Sequence, residues 1–313
     1  HKGDRKILSE MIFAAKEAGA DMVKGQIIFS EDLTKRDRFE EGAVESNGVR
    51  KAIKRPYGPE RERLSSLDLA EDDYRFFIEE ANRAEITPML TVFSRGRILL
   101  ASRFPWKEKV VKVASYDCGS FPMIRELARQ ADRLIVSTGA TFDEEIAETA
   151  NILRQAGKPY AMLHCVTSYP NTLRMCNLAR MEWLRQFSPE VGWSDHTLVE
   201  RDGITAAKVA LMLGADYIER HFTILPSNET KDGPVSITPS LLKELALFAQ
   251  LGRDEQKKIV EKEIPEWRML VGEAQRDMTH TEMLNRDYYR GRFASLVGGD
   301  WIYNWEDKAI REA

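Results

Sequence analysis

The sequence predicts an α/β fold, a TIM-type (β/α)8 barrel, on three observations. Short apolar or β-branched runs alternate with helical patterns from about residue 8 to about residue 250. Several of those runs end in polar and ionisable residues, among them Val23-Lys24-Gly25-Gln26, Trp193-Ser194-Asp195-His196-Thr197 and Glu219-Arg220-His221-Phe222-Thr223. A barrel collects its chemistry at the C-terminal ends of its strands, so such recurrences are expected to converge in space. Finally, 313 residues with 43% hydrophobic content supply one barrel of roughly 250 residues plus an appendage. The expected division is a barrel over residues 1–250 and a helical, aromatic-rich extension over residues 251–313.

The elements follow in order. A helix over 8–18 precedes a strand over 20–26, and a helix over 71–84 leads to a strand over 87–93. A short helix from 95 and a strand over 109–114 come next, then a helix over 122–130 and a strand over 133–138. Helix 143–156, strand 160–165, helix 178–185 and strand 191–193 follow. Helix 203–213, strand 217–222 and helix 239–250 complete the pattern. Helices carry apolar residues at i, i+3 and i+4, whereas strands are brief apolar runs. Seven strands are visible, and closure needs eight. The first strand, with any catalytic residue on it, is therefore expected upstream of His1. Residues 30–66 form the longest break, rich in charge and carrying Pro56 and Pro59; a lid and a solvated excursion are the two readings of a loop this long.

A formal net charge of -4 provides no broad basic field for nucleic acid, while leaving room for a local basic pocket. Cys118, Cys165 and Cys176 lack metal-finger spacing, and no signal peptide or bilayer-length apolar run is present. A reduced, cytoplasmic protein without nucleic-acid or membrane partners is expected.

His196 and His221 fall at the ends of neighbouring strands, where two neutral imidazoles suit one divalent transition metal with positions left for water or substrate oxygens. The alternative is that each ring hydrogen-bonds a carbonyl or carboxylate. Lys24 and Lys112 also stand at strand ends, and buried ammonium groups are costly unless they meet an anion. With Ser115, Ser137, Thr138, Gly139 and Ser194 they suit a phosphate and a carboxylate on one small molecule. Pairing of each lysine with a carboxylate such as Asp117 or Glu219, or an aldolase-type Schiff base, are the competing readings. His164 and Cys165 are adjacent on a strand, so at most one faces the interior, and structural packing is the expected role.

Over residues 15–250 the chain resembles the sialic acid (N-acetylneuraminate or nonulosonate) synthases, a family that includes legionaminate, pseudaminate and spore coat polysaccharide-type synthases. The resemblance is carried by Gly19-Ala20-Asp21-Met22-Val23-Lys24-Gly25-Gln26, Val111-Lys112-Val113-Ala114-Ser115, Val136-Ser137-Thr138-Gly139, Leu163-His164-Cys165, Tyr169-Pro170, Ser194-Asp195-His196-Thr197 and Ile218-Glu219-Arg220-His221-Phe222-Thr223. Residues 1–4 resemble the end of the family's Asn-His-x-Gly segment.

The resemblance implies a transferase that condenses phosphoenolpyruvate with an open-chain acylamino sugar. Lys24, Thr91, Lys112, Ser115, Ser137 and Ser194 match positions that hold phosphoenolpyruvate. His196 and His221 match the ligands of a manganese or similar ion, with magnesium or cobalt as substitutes, and Gln26 and Tyr169 match positions facing the sugar. Glu219 and Asp232 join the expected substrate-binding set, and His196, His221, Lys112 and Lys24 the catalytic one. A homodimer is implied as well. The expected sugar is an unphosphorylated N-acetylmannosamine-like hexose derivative, and the product a nonulosonic acid for a surface glycan.

Departures from the family pattern are local. Thr167 stands where Asn or Ser is common, and the family's Gly-Pro-Asp-His stretch reads Lys231-Asp232-Gly233-Pro234 here, with its carboxylate moved. Residues 288–295 resemble the start of the antifreeze-like domain that in many members lends an Arg to the partner subunit, but no complete copy follows in this sequence. Arg290 and Arg292 are candidate substitutes, and the aromatic tail 298–307 reads as packing or dimer contact. The alternative function is a degenerate barrel that binds a sugar or anion without turnover.

Overall fold

A computed structural model describes residues 1–310. Eight parallel strands form one curled sheet: β1 Met22–Ile27, β2 Thr87–Val92, β3 Val110–Val113, β4 Arg133–Ser137, β5 Tyr160–Cys165, β6 Glu190–Asp195, β7 Tyr217–Phe222 and β8 Ser236–Ile237. Each strand pairs with its neighbour in chain order, as right-handed βα units require. The seven strands read from the sequence are all present with ends moved by a few residues.

One strand beyond the seven read from the sequence is present. It is the short β8, which falls between strand 217–222 and helix 239–250 of the sequence pattern and pairs with β7 through Ser236–His221 and Ile237–Phe222. Its cause is local: the chain turns back through Gly233–Val235, Thr223 N–H donates to the Ile237 carbonyl at 3.0 Å, and Ile237 is fully buried against Ile204, Ala207 and Leu245. Two residues, of which only Ile237 joins an apolar cluster, carry too little periodicity to be read as a strand.

Alternation by two along each strand divides the sheet's concave side into levels. Met89, Val110, Ile135, Ala161 and Leu163, with Tyr217 packed on them, fill the lower level with apolar side chains. Gly192 completes that level because a Cβ there would lie 2.3 Å from the Tyr217 carbonyl oxygen and 2.7 Å from Leu163 Cδ2. The opposite face of the sheet packs on the helices through a larger apolar core containing Ile78, Leu90, Val111, Leu134, Val136, Met162, Val191 and Trp193.

The segment 30–66 is a packed wall rather than a bare excursion. It holds a small hairpin, Ala43–Val44 with Arg50–Ala52, and the helix Tyr57–Ser65. Leu33 and Leu64 pack on Phe293, and Phe39 and Ala52 on Tyr288. Thr34 Oγ1 donates to the Gly291 carbonyl at 2.7 Å, and Arg36 donates to the carbonyls of Tyr288 and Arg290.

Beyond residue 250 the helix Arg253–Glu263 lies against Thr205–Met212, and the helix His280–Tyr289 starts in a Thr279/Glu282 capping box. Residues 295–297 and 300–302 form an antiparallel hairpin, and Asn304 ties this tail to the strand ends. Its Nδ2 donates to the Phe93 carbonyl and to Asp117 Oδ1, both at 2.9 Å, while its Oδ1 accepts from Arg95 N–H. Tyr303 and Trp305 stack on each other at 4.7 Å, so the tail aromatics serve packing within this chain.

Candidate active site

One step above the apolar level, the same strands present Lys24, Thr91, Lys112, Ser137, Cys165, Ser194 and Glu219. The change from apolar to polar occurs within single strands: Met89 to Thr91, Val110 to Lys112, Ile135 to Ser137, Leu163 to Cys165, Gly192 to Ser194 and Tyr217 to Glu219. Register holds the polar members side by side, since Thr91 is paired with both Gln26 and Lys112, and Ser194 with both Cys165 and Glu219.

Glu219 is the hub. Its carboxylate lies 3.0 Å from Lys112 Nζ and 3.7 Å from Lys24 Nζ, and it accepts a 2.9 Å hydrogen bond from Ser194 Oγ. Lys112 Nζ also donates to Ser137 Oγ at 2.7 Å. Burial pushes the Glu219 carboxyl up, but the charges of Lys112 and Lys24, with hydrogen bonds from Lys112 and Ser194, hold it well below the usual carboxylate range. Burial lowers the Lys24 ammonium, an effect that Glu219 partly offsets and Lys112 reinforces. Of the two carboxylates considered for the lysines, Glu219 is therefore the partner; Asp117 instead accepts from Asn304 and Ser120. One carboxylate between two ammonium groups leaves a surplus positive charge at this level. Thr91 Oγ1 is buried there without a hydrogen-bond partner, as befits a donor that meets an external acceptor.

Above this network the rings of His196 and His221 meet edge to face with centroids 5.2 Å apart. Burial, then the neighbouring His221, drives the His196 imidazole well below its ordinary value. Burial lowers His221 as well, opposed by Asp232, whose carboxylate stands 3.9 Å from His221 Nδ1. Burial thus disfavours the charged form of both rings, and the neutral imidazole is the form that ligates a metal. Tyr169 stands edge-on to His196 at 4.1 Å, and Cys165 Sγ lies 3.7 Å from His196 Nδ1.

The pattern 11–253 matches the NeuB family description. The chain belongs to the NeuB family. It is 31% identical over 255 residues to the N,N'-diacetyllegionaminic acid synthase of Legionella pneumophila, covering 78% of this chain and 67% of the relative. A Campylobacter jejuni pseudaminic acid synthase is 27% identical over 318 residues, covering 99% of this chain and 84% of the relative. Among solved structures, the N-acetylneuraminic acid synthetase of Leptospira borgpetersenii superposes with a TM-score of 0.67 at 23% identity, covering 92% of this chain and 87% of that one. This NeuB-family chain spans about two thirds of the length of the first curated relatives it matches.

The structure brings Lys24, Lys112, Ser137, Ser194 and Glu219 into one network and His196, His221, Tyr169 and Asp232 into another. Gln26 is exposed at the end of β1. Ser115 is buried beside Gly139, where an added Cβ would come within 3.0 Å of Ser115 Oγ and 2.8 Å of Thr167 Cγ2. His164 faces the helices: its Nε2 lies 2.7 Å from the Cys176 carbonyl and its ring packs on Trp193. Arg290 and Arg292 are engaged with Glu145 and Glu60. The sequence reading missed Cys165 as an inward-facing neighbour of His196, although alternation from Leu163 identifies it.

Proposed function

We propose that this NeuB-family protein condenses phosphoenolpyruvate with an open-chain 2-acylamino sugar to give a nonulosonic acid and phosphate. The observation that carries this reading is the network in which Lys24 and Lys112 share Glu219 directly below the His196–His221 pair. It supplies an anion site and a carbonyl-activating site within one barrel mouth, as the joining of an anionic enol to an aldehyde requires. The names of the relatives support the same reaction class.

Lys24 and Lys112 offer ammonium groups to the carboxylate and phosphate of the enol substrate, while Ser137, Ser194 and Thr91 contribute hydroxyl donors. The apolar level beneath closes the pocket floor and keeps water out of the electrostatic contacts, which strengthens them. In the reaction the methylene carbon of phosphoenolpyruvate bonds to the sugar aldehyde carbon, and the aldehyde oxygen gains a proton. Water adds to the carbon bearing the phosphate ester, and its C–O bond breaks, leaving a keto acid and inorganic phosphate.

Two neutral imidazoles fit a divalent ion such as manganese, with magnesium or cobalt as substitutes. Among the described residues no group of three or more His, Cys, Asp or Glu is placed to hold one, so the remaining positions fall to water or substrate oxygens. Such an ion supplies Lewis-acid polarisation of the aldehyde. Tyr169 orients the His196 ring by its edge contact, and Asp232 favours one orientation of His221.

Phosphoenolpyruvate labelled with heavy oxygen at the bridging position tests the chemistry. C–O cleavage sends the label into phosphate; recovery of the label in the keto acid would exclude this reaction course.

A further inference from the structure

The backbone ladder between β6 and β7 ends at the pair Asp195–Arg220, each residue standing immediately before one of the two histidines. Among the described residues the register goes no further, so His196 and His221 are not paired with each other. Each is held instead on its far side: His221 is registered with Ser236 of β8, and the His196 carbonyl accepts from Asn171 N–H at 3.1 Å. The 5.2 Å separation of the two ring centroids therefore depends on the last pair below them.

Alternation turns Asp195 and Arg220 to the face of the sheet opposite the histidines. Arg220 Nη1 lies 2.8 Å from Asp195 Oδ2, and the two side chains are 3% and 0% exposed. Asp195 Oδ1 accepts from Thr197 N–H at 2.9 Å and from Thr197 Oγ1 at 2.8 Å. Arg220 Nη1 donates to the same Thr197 hydroxyl at 3.0 Å, and its Nη2 to the Gly203 carbonyl at 3.4 Å. The carboxylate thus closes the turn around His196, because it joins the residue before that ring to the residue after it. The guanidinium then locks that turn to the residue before His221. Thr197, itself fully buried, also bridges to Asn171, two residues from the Tyr169 ring that meets His196 edge-on. Replacing a buried ion pair by apolar residues of similar volume is often neutral for stability, so the contribution of this one lies in its direction: an ion pair and hydrogen bonds fix angles that apolar contacts leave free.

Resting on the metal reading above, we infer that Asp195 and Arg220 are positioning residues, whose buried ion pair, locked through Thr197, sets the separation and orientation of the His196 and His221 imidazoles for one shared divalent ion.

Removing one partner alone strands a buried charge, so the deciding variant is the double replacement Asp195→Asn/Arg220→Met, which removes both charges together and leaves Thr197 its acceptor. Arg220→Lys is a milder second variant, keeping a cation opposite Asp195 while losing the guanidinium fork. Calorimetric titration of the substrate-free full chain with manganese should show affinity weakened about tenfold or more in the double variant, and by a smaller factor in Arg220→Lys. The unfolding midpoint and the binding of phosphoenolpyruvate, one level lower at Lys112, should stay near wild type. Crystal structures of the wild type and the double variant read the rings without any metal, and the centroid separation should change. Wild-type manganese affinity in the folded variants overturns the inference, and so do rings that keep their separation. Manganese and phosphoenolpyruvate binding weakened in parallel, with a falling midpoint, overturns it as well, since a pair with a purely structural role behaves that way. Should the double variant not fold, Arg220→Lys decides by the same criteria. Wild-type protein that binds no manganese defeats the metal reading, and the ring separation then decides the positioning role alone.

Discussion

The Lys112 ammonium lies 3.0 Å from the Glu219 carboxylate, at the level of the sheet where the apolar interior gives way to polar side chains. The same carboxylate reaches Lys24 on the other side at 3.7 Å. Without a ligand, Glu219 serves as the internal counter-ion of two cations; with an anionic substrate present, that role is shared.

Glu219→Gln tests this relationship. It leaves two enclosed ammonium groups without a counter-charge, which should cost about 2–3 kcal/mol of stability, below the full penalty for a buried unpaired charge because the site retains some exposure. Phosphoenolpyruvate should restore more stability to the variant than to the wild type, by linkage. The pH dependence has a definite sign. Because the folded value of Glu219 is depressed below its ordinary 4.5, its contribution is present above that pH and lost as pH falls below it. Urea unfolding with and without ligand, at neutral pH and at pH 4, reads both effects.

His164 governs part of the acid limb. Burial, reinforced by the Arg180 charge, lowers its imidazole from 6.5 to about 3, so between those values the unfolded chain holds a proton that the folded chain excludes. Stability therefore falls as pH drops through that window. Asp117 acts in the opposite sense: burial raises it from 3.8 to about 6, against hydrogen bonds from Asn304 and Ser120, so the folded chain gains stability as pH falls from 6 toward 3.8. Relative to His164→Gln, the wild type should lose about 2 kcal/mol more between pH 8 and pH 5. Parallel denaturation curves for the two proteins would remove this assignment.

Asn304 holds the tail by three hydrogen bonds, to the Phe93 carbonyl, Asp117 and the Arg95 amide. Asn304→Ala should cost about 1–3 kcal/mol, because it leaves buried partners unsatisfied. The loss should concentrate in the hairpin over residues 295–302, where hydrogen exchange should accelerate well before the barrel strands respond.

His221→Ala should abolish turnover and weaken manganese binding while leaving the far-UV spectrum and unfolding midpoint near wild type, since the side chain is partly exposed. Calorimetry with manganese alone separates loss of metal from loss of sugar binding. Unchanged manganese affinity would remove the two-imidazole site.

Much of the barrel was legible because each strand places a brief apolar run before a polar residue at a spacing of two, as in Val110 to Lys112 and Tyr217 to Glu219. That spacing also located the lysines, Ser137, Ser194 and the two histidines. β8 was not legible, because only Ile237 of its two residues is buried in an apolar cluster. Nor was the cluster around Glu60, which joins Arg63 of the same helix to Arg292 of the C-terminal segment through tertiary folding that no local period records. The wall over residues 30–66 was read as a loop because its buried residues Leu33, Phe39 and Leu64 are spaced for contact with the C-terminal segment, not for a helix or strand of their own.

The central claim is tested most directly by phosphate release from phosphoenolpyruvate in the presence of manganese and a panel of 2-acylamino sugars, each as the free sugar and as the terminal phosphate ester, with and without chelator. The account predicts release that requires a sugar, is suppressed by chelator and is impaired in Lys112→Ala through a raised requirement for phosphoenolpyruvate. Absence of release with every sugar, despite saturable phosphoenolpyruvate binding, would contradict it.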